Sequence, residues 1–180
     1  MTGKADIISV GYCHPLAPIS DSTDPKPLTA EDVKQRNTLR KDTIFRRCPA
    51  VQSYMVNSFR VNYPVTANLK VQNQELFCDT PKFLQNINGW DSFFAWTGNA
   101  LEACCTDVFF FCDVPGVKVL MHPHKDGPLP CIVPSIVDTY KFPRSTHACA
   151  FLTEGQEINI KRGDPAYIVT FITPNEERVR

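Results

Sequence analysis

The run Ala150 to Thr173, AFLTEGQEINIKRGDPAYIVTFIT, constrains the fold more than any other part of the chain, because strand, turn and strand follow one another in it with a physical reason for each. Ile158 and Ile160 alternate with Asn159 and Lys161, the period of a strand with one face buried. Arg162-Gly163-Asp164-Pro165 supplies a tight turn, since glycine accepts a positive φ without strain and Pro165 lacks the N–H that a continuing ladder needs. Ala166 to Ile172 is aromatic and β-branched until Pro174 ends it. Two strands joined by so short a turn are expected to form a hairpin at the centre of an antiparallel sheet.

Earlier segments carry the same period. Phe59, Val61 and Tyr63 alternate with Arg60 and Asn62, and after Pro64, Leu69 and Val71 alternate with Lys70 and Gln72. These two segments are expected to pair as a second hairpin. Ser92 to Trp96 and Asp107 to Cys112 are denser in aromatic residues, and the uninterrupted VFFFC at 108–112 predicts a central strand buried on both faces. Gly116 to Met121, between Pro115 and Pro123, is another strand. Roughly eight short strands, with turn signals about every 8 to 12 residues, predict a mainly β chain: an antiparallel β-sandwich or jelly roll with one or two short N-terminal helices. One helix starts at the N-cap Thr29, with Glu31 and Asp32 in its first turn. The other starts at Cys48-Pro49, presents Val51, Tyr54 and Met55 on one face, and ends near Asn57. Residues 14–28, HPLAPISDSTDPKPL, hold four prolines and read as extended chain. The division expected is therefore a Pro-rich N-terminal arm over 1–28 and a single β-sandwich domain over 29–180. The arm is expected to dock on another subunit or a partner, because its prolines lower the entropy lost on ordering.

Composition narrows the function. Lys plus Arg and Asp plus Glu stand at 19 each, so no overall basic field gathers phosphates and no nucleic-acid partner is expected. A net charge of zero favours protein partners and self-association. No apolar run approaches the roughly 18 residues of a membrane helix, and MTGKADIISVGYCHP lacks the apolar core of a signal peptide, which together predict a cytosolic protein and no membrane. Eight cysteines include no C-x-x-C pair, so zinc-knuckle and thioredoxin chemistry are not expected, and the thiols read as reduced, buried small hydrophobes.

Candidate chemistry gathers at Gly116-Val117-Lys118-Val119-Leu120-Met121-His122-Pro123-His124, which resembles the first half of the cupin metal motif, a glycine followed after five residues by His-x-His. Two histidines one residue apart on a strand share a face, where their imidazoles can hold one metal. Asp126 and His147 would complete the set, with Fe, Mn, Ni or Zn as the ion. His124-Lys125-Asp126 also resembles the H-x-D of iron and 2-oxoglutarate oxygenases, with His147 as the distal ligand. The competing reading makes HPHKDGPLP a proline-rich surface loop that binds nothing. No G-x-S-x-G elbow, Walker loop or dinucleotide turn is present, and His147 and Cys149, two apart, do not make a dyad. Trp90, Phe93, Phe94, Trp96, Phe109, Phe110 and Phe111 read as core, any exposed part offering a stacking surface for a sugar or base.

Two blocks, RRCPAVQSYMVNSFRVNYPVTANLKV at 46–71 and KFPRSTHACAFLTEGQEINIKRGDPAYIVTFIT at 141–173, resemble a family of proteins encoded by tailed bacteriophages, T4-like marine phages in particular, for which no reaction is established. The resemblance implies a phage origin and a β-sandwich and carries over no catalytic residue. The expected function is that of a non-enzymatic phage protein acting by binding, as an accessory virion component or as a host-directed factor in the host cytoplasm, with no cofactor. The alternative expectation is a cupin-like or 2-oxoglutarate-type metal enzyme built on His122, His124 and Asp126 or His147.

Overall fold

The computed structural model describes residues 7–8, 11–13, 26–27, 55–63, 66–79, 95–97, 100–112, 114–130, 132–141, 145–175 and 177–179; over 7–13, 95–111 and 145–148 the backbone alone is considered. These residues are mainly β. In chain order the strands are β1 (Ile7–Ile8), β2 (Gly11–Cys13), β3 (Lys26–Pro27), β4 (Ser58–Asn62), β5 (Ala67–Gln72), β6 (Glu75–Cys78) and β7 (Ala95–Thr97). The second half contributes β8 (Ala100–Phe111), β9 (Lys118–Pro123), β10 (Ser135–Asp138), β11 (Ser145–Ala150), β12 (Glu157–Ile160), β13 (Pro165–Ile172) and β14 (Arg178–Val179). They form a five-stranded sheet in the order β10-β9-β13-β4-β3, a four-stranded sheet in which β8 pairs with β11, β2 and β7, and a three-stranded sheet β12-β5-β6. All these pairings are antiparallel, and β1 and β14 add a short parallel pair.

The strand-turn-strand unit at the end of the chain is present, but it is not a hairpin. β12 pairs with β5, and β13 pairs with β4 and β9. Ile160 lies opposite Ala67 and Pro165 opposite Asn62, so one two-chain ladder runs through both sheets and bends between them. At the bend, Tyr63 N donates to Asp164 O (2.9 Å), Gly163 N donates to Tyr63 O (2.8 Å) and Arg162 N donates to Thr66 Oγ1 (3.1 Å). The turn itself closes by Asp164 N donating to Lys161 O (2.9 Å), and Gly163 takes φ +89°, the positive value that the third position of a type II turn requires. For the same reason β4 and β5 are not a hairpin either. Alternation fixes which face of a strand is buried; it does not say which strand lies alongside.

The hairpin that does occur at this end is β5–β6. Asn73 and Gln74 link them with φ 56° and 61°, the type I′ pattern whose twist matches that of its strands. Glu154 holds this turn from outside, its two carboxylate oxygens accepting from Asn73 N (2.8 Å) and Gln74 N (3.1 Å). Asn57 plays a similar part for β14. Its amide donates to Glu177 O (2.8 Å), its Oδ1 accepts from Val179 N (3.0 Å), and its backbone O accepts from Phe171 N (2.9 Å).

One hydrophobic core joins the five-stranded and three-stranded sheets. Val61, Val119, Met121, Tyr167, Val169 and Phe171 face Ala67, Leu69, Val71, Ile158 and Ile160 within a single buried cluster. Phe59 meets Phe171 edge-on, with ring centroids 5.8 Å apart. β13 is central: Tyr167 and Val169 are fully buried in the core cluster, Ala166 at the register shift is buried in the same cluster, and Ile168 is buried on the other face. Double-sided burial, expected of VFFFC, is thus seen at AYIV; 108–111 does form part of the central strand β8, and its side chains lie outside the described residues. The helical expectations fall mostly outside the described residues too. Met55 and Val56 are helical, Asn57 is in a turn and β4 starts at Ser58, where the helix was expected to end. Of the arm, β1 pairs with β14, β2 with β8, and Lys26 and Pro27 with Arg60 and Phe59 at the edge of the five-stranded sheet.

Replacing Gly163 by Val is expected to destabilise the protein by about 1–2 kcal/mol, because a β-branched side chain is forced into left-handed backbone. Phe171→Ala should cost about 3–5 kcal/mol as a large aromatic lost from a packed core. Urea unfolding monitored by circular dichroism measures both, and a silent Gly163→Val would show that the corner does not need its positive φ.

Candidate functional site

The His-x-His segment lies at the end of β9. Pro123 closes the strand opposite Tyr167, two residues beyond Met121, where the pairing with β10 ends, so its missing N–H interrupts no ladder with β10. His122 is half-buried, and its Nε2 lies 3.3 Å from Thr170 Oγ1, which in turn lies 2.7 Å from Ser58 Oγ. These three side chains form a polar row across β9, β13 and β4. Burial holds the His122 imidazole below its ordinary pKa of 6.5; the neighbouring His124 adds to this and a hydrogen bond with the Pro123 backbone opposes it.

His124 is not an exposed loop residue, as the surface-loop reading implies. It is 5% exposed and opens the turn His124-Lys125-Asp126-Gly127, closed by Gly127 N donating to His124 O (3.0 Å). Inside the turn Asp126 N donates to His124 Nδ1 (3.1 Å), so that nitrogen carries no proton. The Asp126 carboxylate meets the Lys125 ammonium. Gly127 is tightly packed: a Cβ there would stand 3.2 to 3.3 Å from the carbonyl oxygens of Ala166, His124 and Pro165, so a side chain fits only if that backbone shifts. His122, His124 and Asp126 are therefore neighbours, while His147 sits on β11 in the four-stranded sheet, at the register shift between Thr146 and Ala148, with its side chain outside the described residues. Among the described residues no group of three or more His, Cys, Asp or Glu is arranged to hold a metal ion.

Two surfaces stand out that the sequence reading passed over. On the outer face of the five-stranded sheet, Ile136 of β10 lies opposite Leu120 of β9, and Ile172 of β13 lies opposite Lys118 beside them. Ile136 is 62% exposed and Ile172 43%, and Tyr140 in the following turn is exposed as well. Among the described residues β10 pairs with β9 alone.

The second surface is the solvent face of the three-stranded sheet. Alternation directs Ala67, Leu69, Val71, Ile158 and Ile160 inward and turns Asn68, Lys70, Gln72, Glu157 and Asn159 outward. Phe77 shares that outer face opposite Lys70, and it is 50% exposed. Lys70 Nζ meets Glu157 Oε1 at 2.9 Å, which lowers the Glu157 pKa. Asn68 donates from its backbone N–H and its side-chain amide to the two oxygens of Asp79, and those bonds, the backbone one first, lower the Asp79 pKa. With Leu69, Cys78 and Asn159 these groups line a shallow depression of about 410 Å³. The sequence signal for this is weak: Asn73 tolerates positive φ but Gln74 is no usual type I′ residue, and Glu75-Leu76-Phe77-Cys78 does not alternate, so Phe77 reads as core until the pairing with β5 is known.

No family model, curated protein or solved structure matches the chain. Among the described residues no helix is long and apolar enough to cross a membrane.

His122 titrates near 6.5 in the unfolded chain and lower in the folded one, so the unfolded state binds more protons as pH falls through that window and stability declines with it. Thermal melts from neutral pH down to about 5 should show this loss, and His122→Gln should remove it. His124→Ala is expected to cost about 1–3 kcal/mol, through the space left by the buried imidazole and the lost bond to the part-buried Asp126 N–H. Elemental analysis of chelator-free protein is expected to find Fe, Mn, Ni and Zn far below one equivalent; a full equivalent that disappears in folded His124→Ala would assign a metal centre.

Proposed function

We propose that this chain is a β-sandwich protein of a tailed bacteriophage that acts by binding a protein partner, as an accessory component of the virion or as a factor directed at a host protein in the infected cell. The observation that supports it best is the apolar patch of Ile136, Leu120 and Ile172 beside edge strand β10. Large apolar side chains grouped on a sheet face gain free energy when covered, and an edge strand offers backbone donors and acceptors to an added strand. The phage assignment rests on the resemblance of 46–71 and 141–173, and the sandwich on two sheets that share one core. The balanced charge agrees with a protein partner rather than nucleic acid.

Mass spectrometry of gradient-purified virions distinguishes the two roles. Presence there, lost in an Ile136→Lys variant that melts like the wild type, assigns the accessory role and its contact surface. Absence from virions, with a host protein recovered by crosslinking through β10, assigns the host-directed role. A variant that alters neither outcome overturns the patch as the docking surface.

A further inference from the structure

We propose that the solvent face of the three-stranded sheet binds a neutral saccharide, with a sugar ring stacked on Phe77 and its hydroxyls bonded to Asn159, Glu157 and Asp79. This site lies on a different sheet from the Ile136 patch and goes beyond the protein-binding reading. Among the described residues Phe77 is the one large apolar side chain on a face otherwise made of Asn68, Lys70, Gln72, Glu75, Glu157, Asn159 and Asp79. Half of Phe77 is open to solvent; the π-face of such a ring is negative, the axial C–H groups of a pyranose are complementary to it, and covering it removes apolar area from water.

The polar groups around it suit hydroxyls, which donate and accept. Asn159 offers both an N–H donor and a carbonyl acceptor, the carboxylates of Glu157 and Asp79 accept, and the Lys70 ammonium donates. Lys70 lies against Glu157, and Asp79 accepts two bonds from Asn68, which orient its carboxylate. Neighbouring strands stand about 4.8 Å apart, so the three strands spread these groups over roughly 10 Å, and residues two apart along each strand add about 7 Å in the other direction. A flat ring with substituents at its rim matches that layout better than a deep apolar ligand does, because the depression is shallow. Two carboxylates against one ammonium repel a phosphate or sulfate, which argues against an anionic saccharide.

The test is an amide-detected NMR titration of the full chain with neutral oligosaccharides of glucose, galactose and N-acetylglucosamine, and a sulfated heparin fragment as the anionic control. Expected are shifts confined to β5, β6 and β12 with at least one neutral oligosaccharide and none with heparin. Phe77→Ala should weaken that binding about tenfold or more, Phe77→Trp should retain it, and Asn159→Ala should weaken it less. Because these side chains are exposed, thermal melts should show each variant folded as the wild type is. The proposal is overturned if none of the neutral sugars shifts these amides, if heparin binds there instead, or if Phe77→Ala binds as the wild type does. None of those results would touch the reading of the Ile136 patch.

Discussion

The structure depends on a ladder that bends. β5 and β12, then β4 and β13, are one pair of chains whose register matches on the two sides of the corner, Ile160 opposite Ala67 and Pro165 opposite Asn62, so that the same two segments serve two sheets. Bending both chains together keeps the backbone satisfied: the N–H and C=O of Tyr63, just past the end of β4, meet Asp164 O and Gly163 N. The cost is confined to a few positions that must suit the turn, chiefly Gly163 with its positive φ and Asp164, whose Oδ2 accepts from Lys161 N at 2.8 Å. The benefit is a core closed from two sides by residues whose order in the chain already sets them opposite one another, Ile158 and Ile160 on one arm, Tyr167, Val169 and Phe171 on the other.

Much of this was legible in the sequence at the level of single strands. Ala67 to Gln72, the break before Ala166, the strand after Gly116 and the positive φ at Gly163 follow from alternation, proline and glycine, which act within a few residues. Partnership was not legible. Whether β12 folds back on β13 or runs on into a second sheet is decided by β4 and β5, about a hundred residues upstream, and no local pattern carries that information. His124 shows the same limit at a single side chain. HPHKDGPLP has the proline density of an exposed loop, yet Gly127 lets the segment press against the backbone at Pro165 and Ala166, and His124 goes inside.

The surfaces differ for reasons that begin in the same alternation. β5 and β12 bury one face and leave the other to water, so their outward positions are polar and Phe77 is conspicuous among them. β13 is buried from Ala166 to Val169 and again at Phe171, and is most exposed at Ile172, opposite Lys118. A polar face with one ring and an apolar end of a sheet solve different recognition problems, and the chain keeps them on separate sheets.

The order of strands in the five-stranded sheet also sets a schedule for synthesis. β4 is made early and β9 midway, yet neither touches the other in the ladder; β13, which stands between them, is made after both. Until it emerges, β4 and β9 each present an unpaired edge and an uncovered apolar row of Phe59, Val61, Val119 and Met121. A growing chain in that condition holds two sticky half-sheets waiting for a common centre, so nascent copies crowded on one message are exposed to pairing with each other rather than with themselves.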